Sequence, residues 1–234
     1  MPTPWEDSIK NRNPKQLTIF VAPTLSKPWR RAFDDALKTF NHLSRANQLG
    51  ITMVAPDNAT KPDPNGEGGA DVQFDMGNGD LSFTALGQDY LVKEFSGTAM
   101  HGSTQLIMRQ FGTQPRRIRR AFVFVPETPM ISAQMRVGRD KFDDVQREAG
   151  HGIRHFIAAH ELIHVCGLHN SDHTTYGPDA DLLVAQPQPV SGPFNRPDED
   201  KLKLHLATRP KPNVFAPPIF LKQATVDLIK DNWS

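Results

Sequence analysis

Two histidines four residues apart, with an acid directly after the first, are the residues of this chain best suited to chemistry. They lie in His160-Glu161-Leu162-Ile163-His164, which continues as Val165-Cys166-Gly167-Leu168-His169-Asn170-Ser171-Asp172-His173. On an α-helix, residues i and i+4 sit about 40° apart around the axis, one turn apart along it. His160 and His164 are thereby placed to grip one metal ion together. Glu161, beside the first ligand, is placed to reach a water on that ion. Zinc held by imidazoles lowers the pKa of its water toward neutrality. A neighbouring carboxylate then takes the proton and hands it to a leaving amine.

Such ligands need a helix to carry them and a turn to bring further ligands back. The preceding Arg154-His155-Phe156-Ile157-Ala158-Ala159 contains neither Pro nor Gly and is apolar on several sides. It predicts a buried helix from about Ile153 to Cys166. Gly167 follows, where a helix ends in a left-handed turn that glycine takes without steric cost. A catalytic zinc takes three protein ligands and keeps one position open. His173 is the favoured third ligand, because the chain must turn before it can face back and a later residue has freer reach. His169 and Asp172 are the alternatives.

His160-Glu161-x-x-His164 is the H-E-x-x-H arrangement of zinc peptidases. With Gly167-Leu168 added, the run resembles the metzincin clan of zinc endopeptidases, as a divergent member or as another zincin with a similar exit from the helix. In that clan a histidine three residues after the glycine is the third ligand, and this chain has Asn170 there. Metzincins also carry a Met-containing turn beneath the metal, downstream of the last ligand. The last methionine here is Met135, and Asp179 to Pro187 lies where that turn is expected. Leu182 or Leu183 is the candidate for a similar apolar floor. The resemblance implies an α+β fold, a twisted mixed sheet packed on two long helices, with a small C-terminal subdomain. It also implies an edge strand that pairs with extended substrate, for which the segment around Gly97 to Gly102 is the candidate.

The elements read from the residues follow a compatible order. Residues 1–15 are polar and Pro-bearing and read as a flexible arm. Residues 16–185 read as the catalytic domain, and 186–234 as the small C-terminal part of the same domain. Leu17 to Ala22 is a short apolar strand ended by Pro23. Ser26 caps a helix with Pro28 in its first turn, and Trp29, Phe33, Ala36, Leu37, Phe40 and Leu43 recur at helical spacing until Gly50. Ile51 to Ala55, Asp71 to Met76, Leu81 to Leu86 and Ala121 to Val125 are further strands, and 56–69 is a solvated loop. Residues 139–149 are polar and helix-prone. Pro197-Asp198-Glu199-Asp200 opens a helix through Lys201 to Leu206, and Gln223 to Asp231 is a last one.

Composition bounds the function classes. A chain of 234 residues buries a sizeable core. The net charge of +1 argues against a broad nucleic-acid or membrane footprint. Arg116-Arg117-Ile118-Arg119-Arg120 is a local cluster, read as solvated residues leading into a strand. The single cysteine, Cys166, excludes an intramolecular disulfide and fits a reducing compartment. It lies about 200° around the helix from His164 and is expected in the core. The N-terminus has no apolar signal region, so a soluble monomer is expected, cytoplasmic or exported by a non-classical route.

Among the remaining candidates, Tyr176 is placed to steady an oxyanion near zinc. His151 and His155 form a second i,i+4 pair, but His155 lies about 140° from His160 and cannot share its ion; both read as surface or helix-start groups. His42, His101 and His205 are isolated and read as structural or solvated. The expectation is a zinc-dependent peptidase with a water activated by Glu161 and a protein or peptide substrate. The alternative is a zincin-shaped metal-binding protein that does not cleave.

Overall fold

The computed structural model describes residues 2–66, 68–136, 142–174, 181–184 and 219–233. After a short helix α1 (Asp7–Lys10), strand β1 (Gln16–Val21) leads into the long helix α2 (Lys27–Asn47) and strand β2 (Thr52–Val54). Strands β3 (Val72–Gly77), β4 (Gly79–Ala85), β5 (Gln88–Phe95), β6 (Ser103–Arg109), β7 (Arg117–Pro126), β8 (Met130–Arg136) and β9 (Phe142–Glu148) follow. Helix α3 (His151–Val165), a 3-10 turn (Asn170–Asp172) and helix α4 (Gln223–Trp233) complete the described elements. The protein is thus mixed α+β.

Five strands form one mixed sheet in the order β2-β1-β3-β7-β6. The first four are mutually parallel, and β6 runs antiparallel to β7 at the edge. Side chains alternate across a strand, and β7 uses both faces. Ala121, Val123 and Val125 join the larger core with Leu17, Ile19, Val72 and Phe74, under Trp29, Phe33, Ala36 and Phe40 of α2 and the apolar residues of α3. Phe122 and Phe124 point the other way, where the β4–β5 hairpin covers them with Phe83, Ala85 and Phe95. Phe83 stacks on Phe122 with ring centroids 4.3 Å apart. Burying a side chain of this size contributes about 1.5–3 kcal/mol, so both faces of β7 are held strongly.

Helix α2 starts where expected, with Ser26 at the N-cap position and a proline in the first turn, although the Ser26 side chain makes no capping hydrogen bond. It ends before Gly50, because Gln48 takes the left-handed conformation at φ 54° and donates its N–H to Arg45. Other expectations need correction. Residues 2–15 are not a loose arm: Trp5 and Ile9 are fully buried. The Trp5 indole donates to the Val165 carbonyl at 2.8 Å, and Thr3 N–H donates to Gly167 O at 2.8 Å. The polar segment before α3 is strand β9, paired antiparallel with β8; cross-strand pairing overrides a local helical preference. Nor is the basic cluster solvated throughout. Arg119 and Arg120 are buried; Arg119 lies 3.4 Å from Glu6, and Arg120 donates to Gly68 O at 2.9 Å. Paired acceptors make such burial tolerable. Residues 97–102 form a turn rather than an edge strand; the edge is β6, immediately after it.

The last helix, expected over Gln223 to Asp231, runs Gln223–Trp233. Val226, Ile229 and Trp233 enter the main core, so α4 belongs to the same packing unit as α3. The helix expected over Lys201 to Leu206 lies outside the described residues. Among the described residues, no helix is long and apolar enough to cross a membrane.

Candidate metal centre

Helix α3 can carry two histidines into the interior because nearly all of its surface is apolar. From Ile153 to Val165, only His155 is not buried. His160 and His164 have 4 % of their surface exposed, and Glu161 has 2 %. Past the helix, Gly167 turns the chain at φ 98°. A side chain there would meet Thr3 O and the Asn232 amide, so glycine is required both by conformation and by space. The 3-10 turn then delivers His173 back toward the helix.

The three imidazoles converge. His164 Nε2 lies 3.0 Å from His160 Nε2 and 2.8 Å from His173 Nε2, and the three nitrogens fall within 4.8 Å of one another. The outer nitrogens settle the tautomers of the two helical histidines. His160 Nδ1 donates to Leu182 O at 2.7 Å, and His164 Nδ1 donates to Leu168 O at 2.9 Å. A carbonyl only accepts, so the proton sits on Nδ1 and each Nε2 presents a lone pair. Burial, reinforced by His164, pushes the His160 pKa down to about 3. Burial likewise brings His164 down to about 4. Facing lone pairs repel, and a shared cation removes that repulsion. Zn–N bonds of about 2.0–2.1 Å in a tetrahedron put nitrogens about 3.3 Å apart, near the observed spacing. His160, His164 and His173 therefore form a group that could hold a metal ion.

The other two ligand candidates are engaged elsewhere. His169 Nε2 pairs with Thr3 Oγ1 at 2.8 Å. Asp172 accepts the His169 backbone N–H at 2.8 Å, closing the 3-10 turn. Tyr176 lies outside the described residues. Leu182 and Leu183 are fully buried, and the Leu182 carbonyl is the group that orients His160.

Glu161 is held against the sheet edge. Its Oε2 accepts the Thr104 hydroxyl at 2.6 Å, and Gly102 supplies a backbone hydrogen bond. Burial outweighs both and raises its pKa to about 7. A Cβ on Gly102 would stand 2.7 Å from Glu161 Cγ and from Phe124 O, so only glycine fits. Glu161 and the imidazoles line a cleft of about 600 Å³, together with Phe95, His101, Gln105 and Asn170. Thr104 and Gln105 lie more than 50 residues from the motif, and nothing in their local sequence marks them. The segment around Gly97 to Gly102, expected as the substrate-pairing edge, lies immediately before them in the chain.

The upstream histidines join helices rather than metal. His151 Nε2 lies 2.9 Å from Asp35 Oδ2, and His155 Nε2 lies 2.9 Å from Thr39 Oγ1, both partners on α2. His151 opens α3, as the helix-start reading expects, and both residues sit half-buried in the seam between α2 and α3 rather than on open surface. His101 stands exposed at the cleft rim, His42 is exposed on α2, and His205 lies outside the described residues. Cys166 is fully buried, and burial pushes its thiol pKa up, so it is no nucleophile. No protein-family model matches the chain, and no curated protein matches it.

Proposed function

We propose that the protein is a zinc-dependent peptidase with a metzincin-like zincin fold. One observation carries the reading: three imidazole nitrogens converge beside a buried carboxylate, at the floor of a cleft bordered by an edge strand. Hard carboxylate ligands would favour magnesium or calcium, whereas an all-imidazole set of three suits zinc. Zinc bound there would act as a Lewis acid, polarising the scissile carbonyl and acidifying a water. His160, His164 and His173 hold the site, their lone pairs kept available by burial. Glu161 takes the proton from the attacking water at its carboxylate and delivers it to the leaving nitrogen. Its pKa near 7 suits a group that both accepts and donates near neutrality. The outer edge of β6 offers backbone groups to an extended protein or peptide substrate.

The rival reading, a metal-binding protein that does not cleave, is favoured by the anchoring of Glu161 to Thr104 and Gly102. One experiment separates them. Wild type and Glu161→Gln are assayed for bound zinc and for cleavage of a broad peptide library. The peptidase reading expects zinc in both and turnover reduced by about 10²–10⁴-fold in the variant. Equal activity in the two proteins would refute the mechanism, and zinc without cleavage in either would favour the rival.

A further inference from the structure

We infer that Asp181 is a positioning residue that couples the C-terminal helix α4 to the metal-binding histidines. The inference rests on the three-histidine site described above. Asp181 is 1 % exposed. Among the described residues, its carboxylate accepts four hydrogen bonds, and none of these comes from a cationic side chain. Oδ1 accepts from Thr174 Oγ1 at 2.9 Å and from Leu183 N–H at 3.2 Å. Oδ2 accepts from Lys222 N–H at 3.0 Å and from Thr225 Oγ1 at 2.7 Å.

The two oxygens serve two different parts of the molecule. Oδ1 holds the metal side: Thr174 follows His173, and Leu183 follows Leu182, whose carbonyl takes the His160 Nδ1 proton. Thr174 and Leu183 are further tied by a backbone bond of 3.0 Å from Thr174 N–H to Leu183 O. Oδ2 holds the first turn of α4, where the helix leaves N–H groups without intrahelical partners and the dipole favours a negative charge. The far end of α4 reaches the exit of the ligand helix. Asn232 Nδ2 and Trp233 Nε1 both donate to Cys166 O, at 2.7 and 3.1 Å, two residues past His164. An 11-residue helix spans about 16 Å. So α4 braces the metal site from the His160–His173 side to the His164 side, and Asp181 is its joint.

The chemistry requires a carboxylate. Four donors need four acceptor positions, two on each oxygen, and a carboxylate offers them where the isosteric amide does not. In Asp181→Asn the amide nitrogen would oppose a backbone N–H in either orientation, Leu183 in one and Lys222 in the other.

The test measures metal affinity by chelator competition and the visible absorption of the cobalt-substituted protein, which reports ligand geometry directly. Asp181→Asn is expected to weaken zinc binding by roughly 10–100-fold and to shift the cobalt bands. Thr225→Val, which removes one hydroxyl from α4 and touches no histidine, is expected to move both readouts in the same direction by less. It carries the test if Asp181→Asn does not fold. Leu49→Ala, beside β2 at the opposite edge of the sheet, is expected to lower the melting temperature while leaving both unchanged. Wild-type affinity and spectrum in Asp181→Asn and Thr225→Val would overturn the coupling. An equal loss of affinity in Leu49→Ala at matched stability would overturn it too, by making general stability the cause. Failure of the wild type to take up zinc or cobalt would instead overturn the metal centre itself.

Discussion

At the scale of single residues, the site divides into groups that read locally and groups that do not. His160 and His164 fall on one helix face because four residues make a little more than one turn. Their tautomers, by contrast, depend on carbonyls of Leu182 and Leu168. His173 stands with them because Gly167 and the 3-10 turn reverse the chain, while His169 and Asp172 are drawn into holding that reversal. The two histidines of this loop should therefore respond differently to removal. His173→Ala is expected to lose most of the zinc affinity, and His169→Ala to keep it near wild type, measured by the same chelator competition. If His169→Ala lost zinc and His173→Ala kept it, the ligand set would be wrong.

At the scale of elements, helix α3 is fixed by what packs on it. Helices α2 and α3 meet along a seam that includes His151 with Asp35 and His155 with Thr39. Burial lowers the His155 pKa below its usual 6.5, with Asp35 opposing and His151 adding to the effect. The sign follows. Just below pH 6.5 the unfolded chain binds a proton at His155 that the folded protein resists, so stability is intact above that pH and falls as the pH drops through it. Denaturant unfolding between pH 7 and 5 should show that decline, and His155→Gln should make it shallower. An unchanged slope would place the pH sensitivity elsewhere. Strand β6 acts on the opposite side of α3: through Thr104 it anchors Glu161, and as the outer strand of the described sheet it borders the cleft. Its role is invisible in the chain order, because Thr104 is 57 residues from Glu161.

At the scale of the whole molecule, both ends of the described chain close on the C-terminal exit of α3. Trp5 donates to Val165 O, and Trp233 donates to Cys166 O; their ring centroids are 6.4 Å apart. Trp5→Ala would open a cavity at this junction. It is expected to cost about 3–5 kcal/mol of stability, read from denaturant unfolding. A cost near zero would mean that the N-terminal segment is, after all, a loose appendage.

Local spacing determined much of this protein. Periodicity located α2, α3, the last helix and most strands of the large sheet, because helix and strand periods depend on neighbours a few residues away. The same spacing paired His160 with His164 beside Glu161. The polar run that became β9, the buried Arg119 and Arg120, and the docked N-terminus were decided only in the tertiary structure. Each depends on a partner distant in the chain: a facing strand, a buried acceptor, a carbonyl at the end of a helix. The completion of the site divides in the same way. The turn at Gly167 already favoured His173 over His169 and Asp172, whereas the hold of Thr104 on Glu161 and the bonds to Asp181 arise from packing between distant segments, which no local pattern encodes.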